Sequence, residues 1–350
     1  MSAIVSALLT IFGIMLLGMI TQRRRLFPES MALCLNQFVY WVSLPCLLFS
    51  QMCTIPGSDN ARALVWGGLA ASMLCYLLFY ALFSRGFRHN SRAATIRTMG
   101  ASFPNAAFFG LPFVIMVFPG SEDALNANMI CALLYTAVGI TADTSLDYQR
   151  RAETLAANAE MERDDAENAG TNAGGSAKNM GSAPARSSGL AMALRFVREL
   201  RRNPMVMSSL AGLLVSLLGI EPPQALLRAT TMLGSTCAPC ALFSMGMVLS
   251  AQMSGALGPI SLRDVLGPIV AVSGLRLLAA PFIAYVILRM AGCTGDMLAA
   301  ATVTFAMPVA VLVYILAERY EAKPAETSLT VIVSTLLSLV TLPLVMWLMP

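Results

Sequence analysis

The sequence predicts an all-α membrane protein of ten spans, in two halves of five around a polar middle segment. Three observations predict it. The 350 residues are 57% hydrophobic and 12% charged, against about 25% charged in an average soluble domain. The apolar residues fall in runs of about 20, the length that crosses a bilayer as a helix. The charges gather between the runs, and residues 147–203 alone hold 17 of the 42. This excludes a nucleic-acid binder, a secreted disulfide scaffold and an ordinary cytosolic enzyme.

The first run, 2–20, precedes the basic cluster Arg23-Arg24-Arg25. A signal peptide has the opposite order, so this run reads as a span. Span 2 (33–52) contains Pro45-Cys46-Leu47-Leu48-Phe49-Ser50, and span 3 (63–84) carries no charge. Span 4 (98–118) holds Pro104 and Pro112 with Gly110 between them. Each proline removes a backbone hydrogen bond and clashes with the preceding turn, at about 3 kcal/mol, so a continuous helix is not expected. Span 5 (127–146) carries Asp143 near its end. Residues 158–189 are polar and Gly/Ala/Ser-rich, and bury too little apolar surface to offset ordering entropy. They read as a solvated tether, Asp164-Asp165 included. Residues 190–203 read as a short basic amphipathic helix on the membrane surface. Span 6 (204–220) opens at Asn203-Pro204, and span 7 (227–251) contains Pro239-Cys240-Ala241-Leu242-Phe243-Ser244. Span 8 (265–290) holds Arg276, span 9 (297–317) breaks at Met307-Pro308, and span 10 covers 327–349. The domains are thus 1–146, the cytoplasmic linker 147–203 and 204–350.

Loop charge orients the chain. The odd-numbered loops carry 19 Lys and Arg, the even-numbered ones 3. The positive-inside rule puts the odd loops, with 147–203, in the cytoplasm of a cell (inner) membrane protein and both termini outside. The halves also resemble each other. The six-residue segments of spans 2 and 7 agree at five positions, and spans 4 and 9 share Phe103-Pro104 and Phe305-Ala306-Met307-Pro308. A repeat with five spans enters the membrane from opposite sides in its two copies. That inverted arrangement is common in secondary transporters, whose sites lie near the midplane at broken helices.

Asn105 directly follows the first break, and its amide offers donors and acceptors. Half-helix N-termini there suit an anion; plain proline kinks used for packing are the alternative. A charge within the membrane costs about 2.5–3.5 kcal/mol on insertion scales, so it faces a partner or water. Arg276 either meets a carboxylate or snorkels. Asp143 either sits at the interface or couples a cation or proton. Cys237 and Cys240 form a C-x-x-C without a second pair or nearby His, and read as packing residues. The single His, His89, lies in a basic loop, which argues against His-based catalysis or metal binding. No cofactor is expected, and no G-x-x-x-x-G-K-[ST] ATPase motif is present.

The segments Leu44-Pro45 through Phe49, Phe103-Pro104-Asn105 through Gly110-Leu111-Pro112, Asn203-Pro204, Leu233-Gly234 through Gly246, Arg276 with Pro281, and Pro308 through Tyr320 carry a family likeness. The chain resembles the auxin efflux carrier family, in its short bacterial malate/malonate-carrier-like branch. The resemblance implies two inverted five-helix repeats with broken helices 4 and 9 crossing, as in bile-acid-symporter-like and antiporter-like folds. It implies small organic anions as substrates, one moving bundle against a scaffold, and a homodimer. Asn residues beside the crossover prolines contact the carboxylate in that family, and Asn105 matches. Where bacterial relatives often have a second Asn, four residues after the span 9 proline, this chain has Leu312. The expected substrate site is Pro104, Asn105, Ala106 and Pro308, with Ser50, Ser244 and Arg276 as further anion contacts. The co-ion, proton or sodium, stays open. So does the alternative of a sodium-coupled symporter for a bulkier anion.

Overall fold

The structure, a computed structural model, describes residues 2–28, 30–53, 59–86, 91–168, 198, 201–255 and 262–349. His89, residues 169–189 of the expected tether and most of the expected amphipathic segment 190–203 lie outside them. The described residues are helical and contain no strand. Seven helical stretches are long and apolar enough to cross a membrane: Val5–Arg23, Met31–Met52, Asn60–Arg85, Glu122–Arg150, Gln224–Met253, Val265–Met290 and Pro324–Leu348. They match expected spans 1, 2, 3, 5, 7, 8 and 10. Expected span 6 is a shorter helix, and expected spans 4 and 9 are each interrupted.

The helices are α1 (Ser2–Arg23), α2 (Met31–Phe38), α3 (Leu44–Met52), α4 (Asp59–Gly86), α5 (Ser91–Ser102), α6 (Leu111–Val117) and α7 (Glu122–Asn168). After the linker come α8 (Pro204–Leu217), α9 (Gln224–Ser235), α10 (Cys237–Gly255), α11 (Leu262–Gly274), α12 (Ala280–Met290), α13 (Gly295–Phe305), α14 (Val311–Arg319) and α15 (Pro324–Leu348). Three π-helical turns, Val39–Ser43, Ala106–Gly110 and Leu275–Ala279, each end two residues before a proline: Pro45, Pro112 and Pro281. A proline leaves the carbonyl four residues back without its N–H, and widening the preceding turn accommodates the loss. Asn203 and Pro204 start α8 by a different route. The Asn203 side chain accepts from the Met205 and Val206 amides at 3.0 and 3.4 Å, an N-cap with proline at the first helical position.

Helix α7 runs to Asn168, well past the expected span end at 146. Residues 152–168 are rich in Ala and Glu, which favour helix even where no apolar face demands it. The early part of this extension is anchored. Glu153 pairs with Arg92 at 2.6 Å, Gln149 bonds Thr95 at 3.2 Å, and Arg150 reaches the Arg319 carbonyl at 3.5 Å.

The helices pack in two groups. One joins α1 with α10, α2 with α10, and α3 with α8 and α9. The other joins α4 with α5, α7 and α12, α13 with α7 and α12, and α15 with α11 and α14. Glycines set the closeness of the first group. A Cβ on Gly18 would strike the Phe243 carbonyl, one on Gly246 the Met15 carbonyl, and one on Gly212 would sit 2.6 Å from the Phe49 carbonyl. Such backbone-to-backbone approach is how membrane helices gain dispersion energy where lipid is as apolar as leucine. Phe49 and Phe243 occupy the same place in the repeated six-residue segment, and each receives a glycine from a neighbouring helix.

Candidate binding site at the helix crossover

The two interrupted helices meet at their breaks. Pro104 and Val309 form an isolated antiparallel bridge. The Asn105 amide donates to the Pro308 carbonyl at 2.9 Å, and the Ala310 amide donates to the Phe103 carbonyl at 3.3 Å. Each break thereby satisfies backbone groups of the other. Bare backbone at membrane depth is tolerated only under such packing.

The crossover takes amides away from their own helices. The Asn105 amide would ordinarily serve the Ala101 carbonyl, and the Val309 amide the Phe305 carbonyl. The first goes to Pro308 and the second to Ser334 Oγ at 3.2 Å. Arg276, fully buried, answers both losses. Its guanidinium donates to the carbonyls of Ala101 (3.4 Å), Phe305 and Met307 (3.1 Å). These carbonyls end α5 and α13, where each helix carries roughly −0.5 elementary charge. A buried carbonyl without a donor costs about 1–3 kcal/mol, so three of them justify burying one arginine. Arg276 therefore does not snorkel: its nitrogens are turned to backbone. Tyr135 lies beside the guanidinium, and its ring meets Phe103 and Phe305 edge-on at 5.8 and 5.2 Å.

On the other side of the crossover lies a cavity of about 640 Å³. Phe103, Pro104, Asn105, Ala106, Ala107 and Phe108 line it from the first break, and Ala310, Val311 and Leu312 from the second. Asn105 and Ala310 are the N-caps of the second half-helices, whose first N–H groups lack intrahelical partners. Asn105 is 3% exposed. Its side-chain oxygen accepts from the Phe108 amide at 3.3 Å, and its NH₂ reaches only the Met245 sulfur, at 3.4 Å. A thioether is a weak acceptor, so this donor can serve a better one. Tyr40, Trp41, Leu44, Tyr135 and Met245 make most of the remaining wall apolar, and Asn36 and Gln37 add amides. At its far end the cavity reaches Asp143, Arg202, Asn203 and Arg319. There Asp143 accepts from the Tyr320 hydroxyl at 2.8 Å and lies 3.5 Å from Arg319.

A second cavity of about 450 Å³ is lined by Ser50, Gln51, Val114, Phe118, Glu122 and Thr231, among others. A packed cluster that includes Leu44, Leu47, Leu48, Leu111 and Met129 touches both cavities: Leu44 lines the larger one, and Leu125, packed against the cluster, lines the second. Cys237 belongs to the cluster, with Cys240 packed against it, so this pair fills space. Among the described residues no group of His, Cys, Asp or Glu could hold a metal ion.

The expected site residues thus divide. Pro104, Asn105 and Ala106 come together on the larger cavity, with Asp143 at its far end. Pro308 bonds across the crossover but does not line that cavity, and Arg276 faces the carbonyl ends behind it. Ser50 lines the second cavity and bonds back to the Leu47 carbonyl at 2.9 Å. Ser244, its repeat mate, lies one step behind the larger cavity, 2.7 Å from Asn36 Oδ1. The sequence reading missed Asn36, Tyr135, Met245 and Asn128. Asn128 ties the two breaks together, donating to the Ala106 carbonyl at 3.3 Å and accepting from Thr304 at 2.9 Å. The available signal was an uncharged amide inside an apolar run, as at Asn36 and Asn128.

The family described as "Membrane transport protein" matches residues 3–346. A curated relative from Rhizobium meliloti (strain 1021), named "Putative malonate transporter", is 26% identical over 345 residues, covering 97% of this chain and 94% of its own.

Proposed function

The chain belongs to the membrane transport protein family, a family of transporters rather than enzymes, and from that premise we propose that it is a secondary transporter of small organic anions working by alternating access. The observation that carries this reading is the meeting of one cavity with two interrupted helices, with the Asn105 amide at the meeting point. The carboxylate is held by the Asn105 NH₂ and by the first amides of the second half-helices, beside Pro104 and Ala106. The name of the Rhizobium relative supports malonate or a similar dicarboxylate as cargo.

Helix pairings support two inverted repeats of five spans. Span 1 packs on span 7 as span 6 packs on span 2. Span 3 packs on the first half of span 4 as span 8 packs on the first half of span 9. Span 5 meets the first half of span 9 as span 10 meets the first half of span 4. The larger cavity reaches Arg202 and Arg319, beside the loops that hold most of the Lys and Arg. With those loops cytoplasmic and both termini outside, the arrangement is inward-facing. The cluster of Leu48, Leu111 and Met129 is then the closed outer barrier, and the cavity at Ser50 is the collapsed outer vestibule. Asp143, hydrogen-bonded to Tyr320 at the inner mouth, is the candidate for proton coupling.

One observation favours a second reading, a bulkier anion. The wall is mostly aromatic and aliphatic, and Leu312 brings an alkyl group where a second amide would suit a dicarboxylate. Flux into proteoliposomes decides between them. Labelled malonate, malate and succinate are compared with indole acetate, with and without proton and sodium gradients. Saturable dicarboxylate flux supports the first reading, flux of the aromatic acid alone the second, and flux of neither removes both.

A further inference from the structure

The geometry points to Arg276 as the residue that sets the charge sign of the binding site, although it does not touch the cavity. The inference rests on the transport reading above. Four helix ends meet at the crossover. The carbonyl ends of α5 and α13 each carry roughly −0.5 elementary charge, and the amide ends that begin at Asn105 and Ala310 each carry roughly +0.5. Left alone, these ends sum to nothing and select neither sign. Arg276 adds one positive charge on the carbonyl side only, bonded to Ala101, Phe305 and Met307. One guanidinium cancels both negative ends. The cavity then faces the two amide ends without their counterweight, together with the under-used Asn105 NH₂.

The sequence makes the asymmetry plain. Span 8 carries Arg276, while its counterpart in the first half, span 3, has no Lys or Arg between residues 63 and 84. One charge serves both halves because the crossover brings the ends of α5 and α13 to one point. The guanidinium also occupies the place where exposed carbonyl ends would otherwise recruit a cation from solution. Arg276 is in this sense a resident counter-ion that stays with the protein through the cycle. It is a positioning and selectivity residue, acting through the helix ends.

A lost fixed charge weakens a dianion more than a monoanion, whereas simple loss of packing weakens both alike. The test is therefore uptake by proteoliposomes of malonate against its monomethyl ester near neutral pH. Arg276→Gln is expected to raise the KM for malonate about tenfold more than the KM for the monoester. Arg276→Lys, which keeps the charge, retains the wild-type ratio of the two. Equal losses in Arg276→Gln overturn the inference while leaving the transport reading intact; no anion flux by wild type removes both. Should both variants fail to fold, wild type alone answers. Replacing sodium by N-methylglucamine leaves its malonate KM unchanged if Arg276 is the resident cation, and raises it if sodium fills that role.

Discussion

The backbone N–H of Asn105 donates to the carbonyl of Pro308 at 2.9 Å, so residues about 200 apart in sequence close each other's helix breaks. The Asn105 side chain is not needed for that bond: its oxygen caps the Phe108 amide, and its NH₂, held by a thioether, can serve the cavity. The backbone N–H and the side-chain NH₂ thus have separate tasks at this residue, which makes it a good place to test function.

The packing of α1 on α10 has no room for a side chain at Gly246, whose Cβ would meet the Met15 carbonyl. Backbone cannot swing aside as a side chain can. Gly246→Val is expected to destabilise the fold by about 1–3 kcal/mol or more. Thermal unfolding in detergent checks it: a clear fall in midpoint is expected, and an unchanged midpoint would show the two helices free to separate.

Arg97 and Glu326 form a two-bond ion pair at 2.6 and 2.7 Å, each side chain only 7% exposed. It joins α5 to the start of α15. Arg97→Met leaves a buried carboxylate and is expected to cost about 3–5 kcal/mol. The double variant Arg97→Met/Glu326→Leu removes both charges and should recover most of that loss. A double variant no more stable than the single one would contradict this.

Tyr320, in the turn after α14, is 3% exposed. Burial, and then its hydrogen bond to the Asp143 carboxylate, raise its pKa above the usual 10.0. The sign follows from proton linkage. Above pH 10.0 the unfolded chain has released this proton and the folded one has kept it, so the raised pKa makes stability fall as pH rises. Thermal unfolding from neutral to strongly alkaline pH should show that decline in wild type and a shallower one in Tyr320→Phe. Parallel curves would mean that Tyr320 is not held as described.

Leu312 lies on the cavity wall, 42% exposed, four residues past Pro308 in the first turn of α14. An amide there would add a hydrogen bond to a charged ligand, worth about 1.5–3 kcal/mol. Leu312→Asn is expected to lower the KM for malonate by about tenfold or more, measured as proteoliposome flux. A raised KM for malonate with tighter use of indole acetate by wild type would favour the bulkier cargo.

Much of this was legible in the sequence, and the boundary of legibility has physical causes. The long spans declare themselves through hydropathy because lipid demands about 20 apolar residues whatever the fold. The breaks in spans 4 and 9 declare themselves because Pro104 and Pro308 lack an N–H. Asn105 could be singled out because it stands directly after one of them. What could not be read was which residues meet across the fold. Arg276 was expected to meet a carboxylate or to snorkel, and it meets Ala101, Phe305 and Met307 because of a crossing that no local pattern encodes. Ser50 and Ser244 share a motif and a back-bond, yet Ser50 lines the second cavity while Ser244 sits behind the larger one on Asn36, a difference that no local pattern encodes. Residues 158–168 read as tether because polarity reports solvation, whereas they end α7 because their Ala and Glu content favours helix.

The most direct test of the central claim is the uptake of labelled malonate by proteoliposomes of wild type and Asn105→Ala. Wild type should take up malonate saturably, and the variant should show a kcat/KM about 10–100-fold lower, the loss of one hydrogen bond to a charged ligand. The variant loses the cap on the Phe108 amide, a cost of about 0.5–2 kcal/mol, but keeps the Asn105–Pro308 backbone bond and should remain folded. Equal uptake by the two folded proteins would contradict the placement of the anion at the crossover.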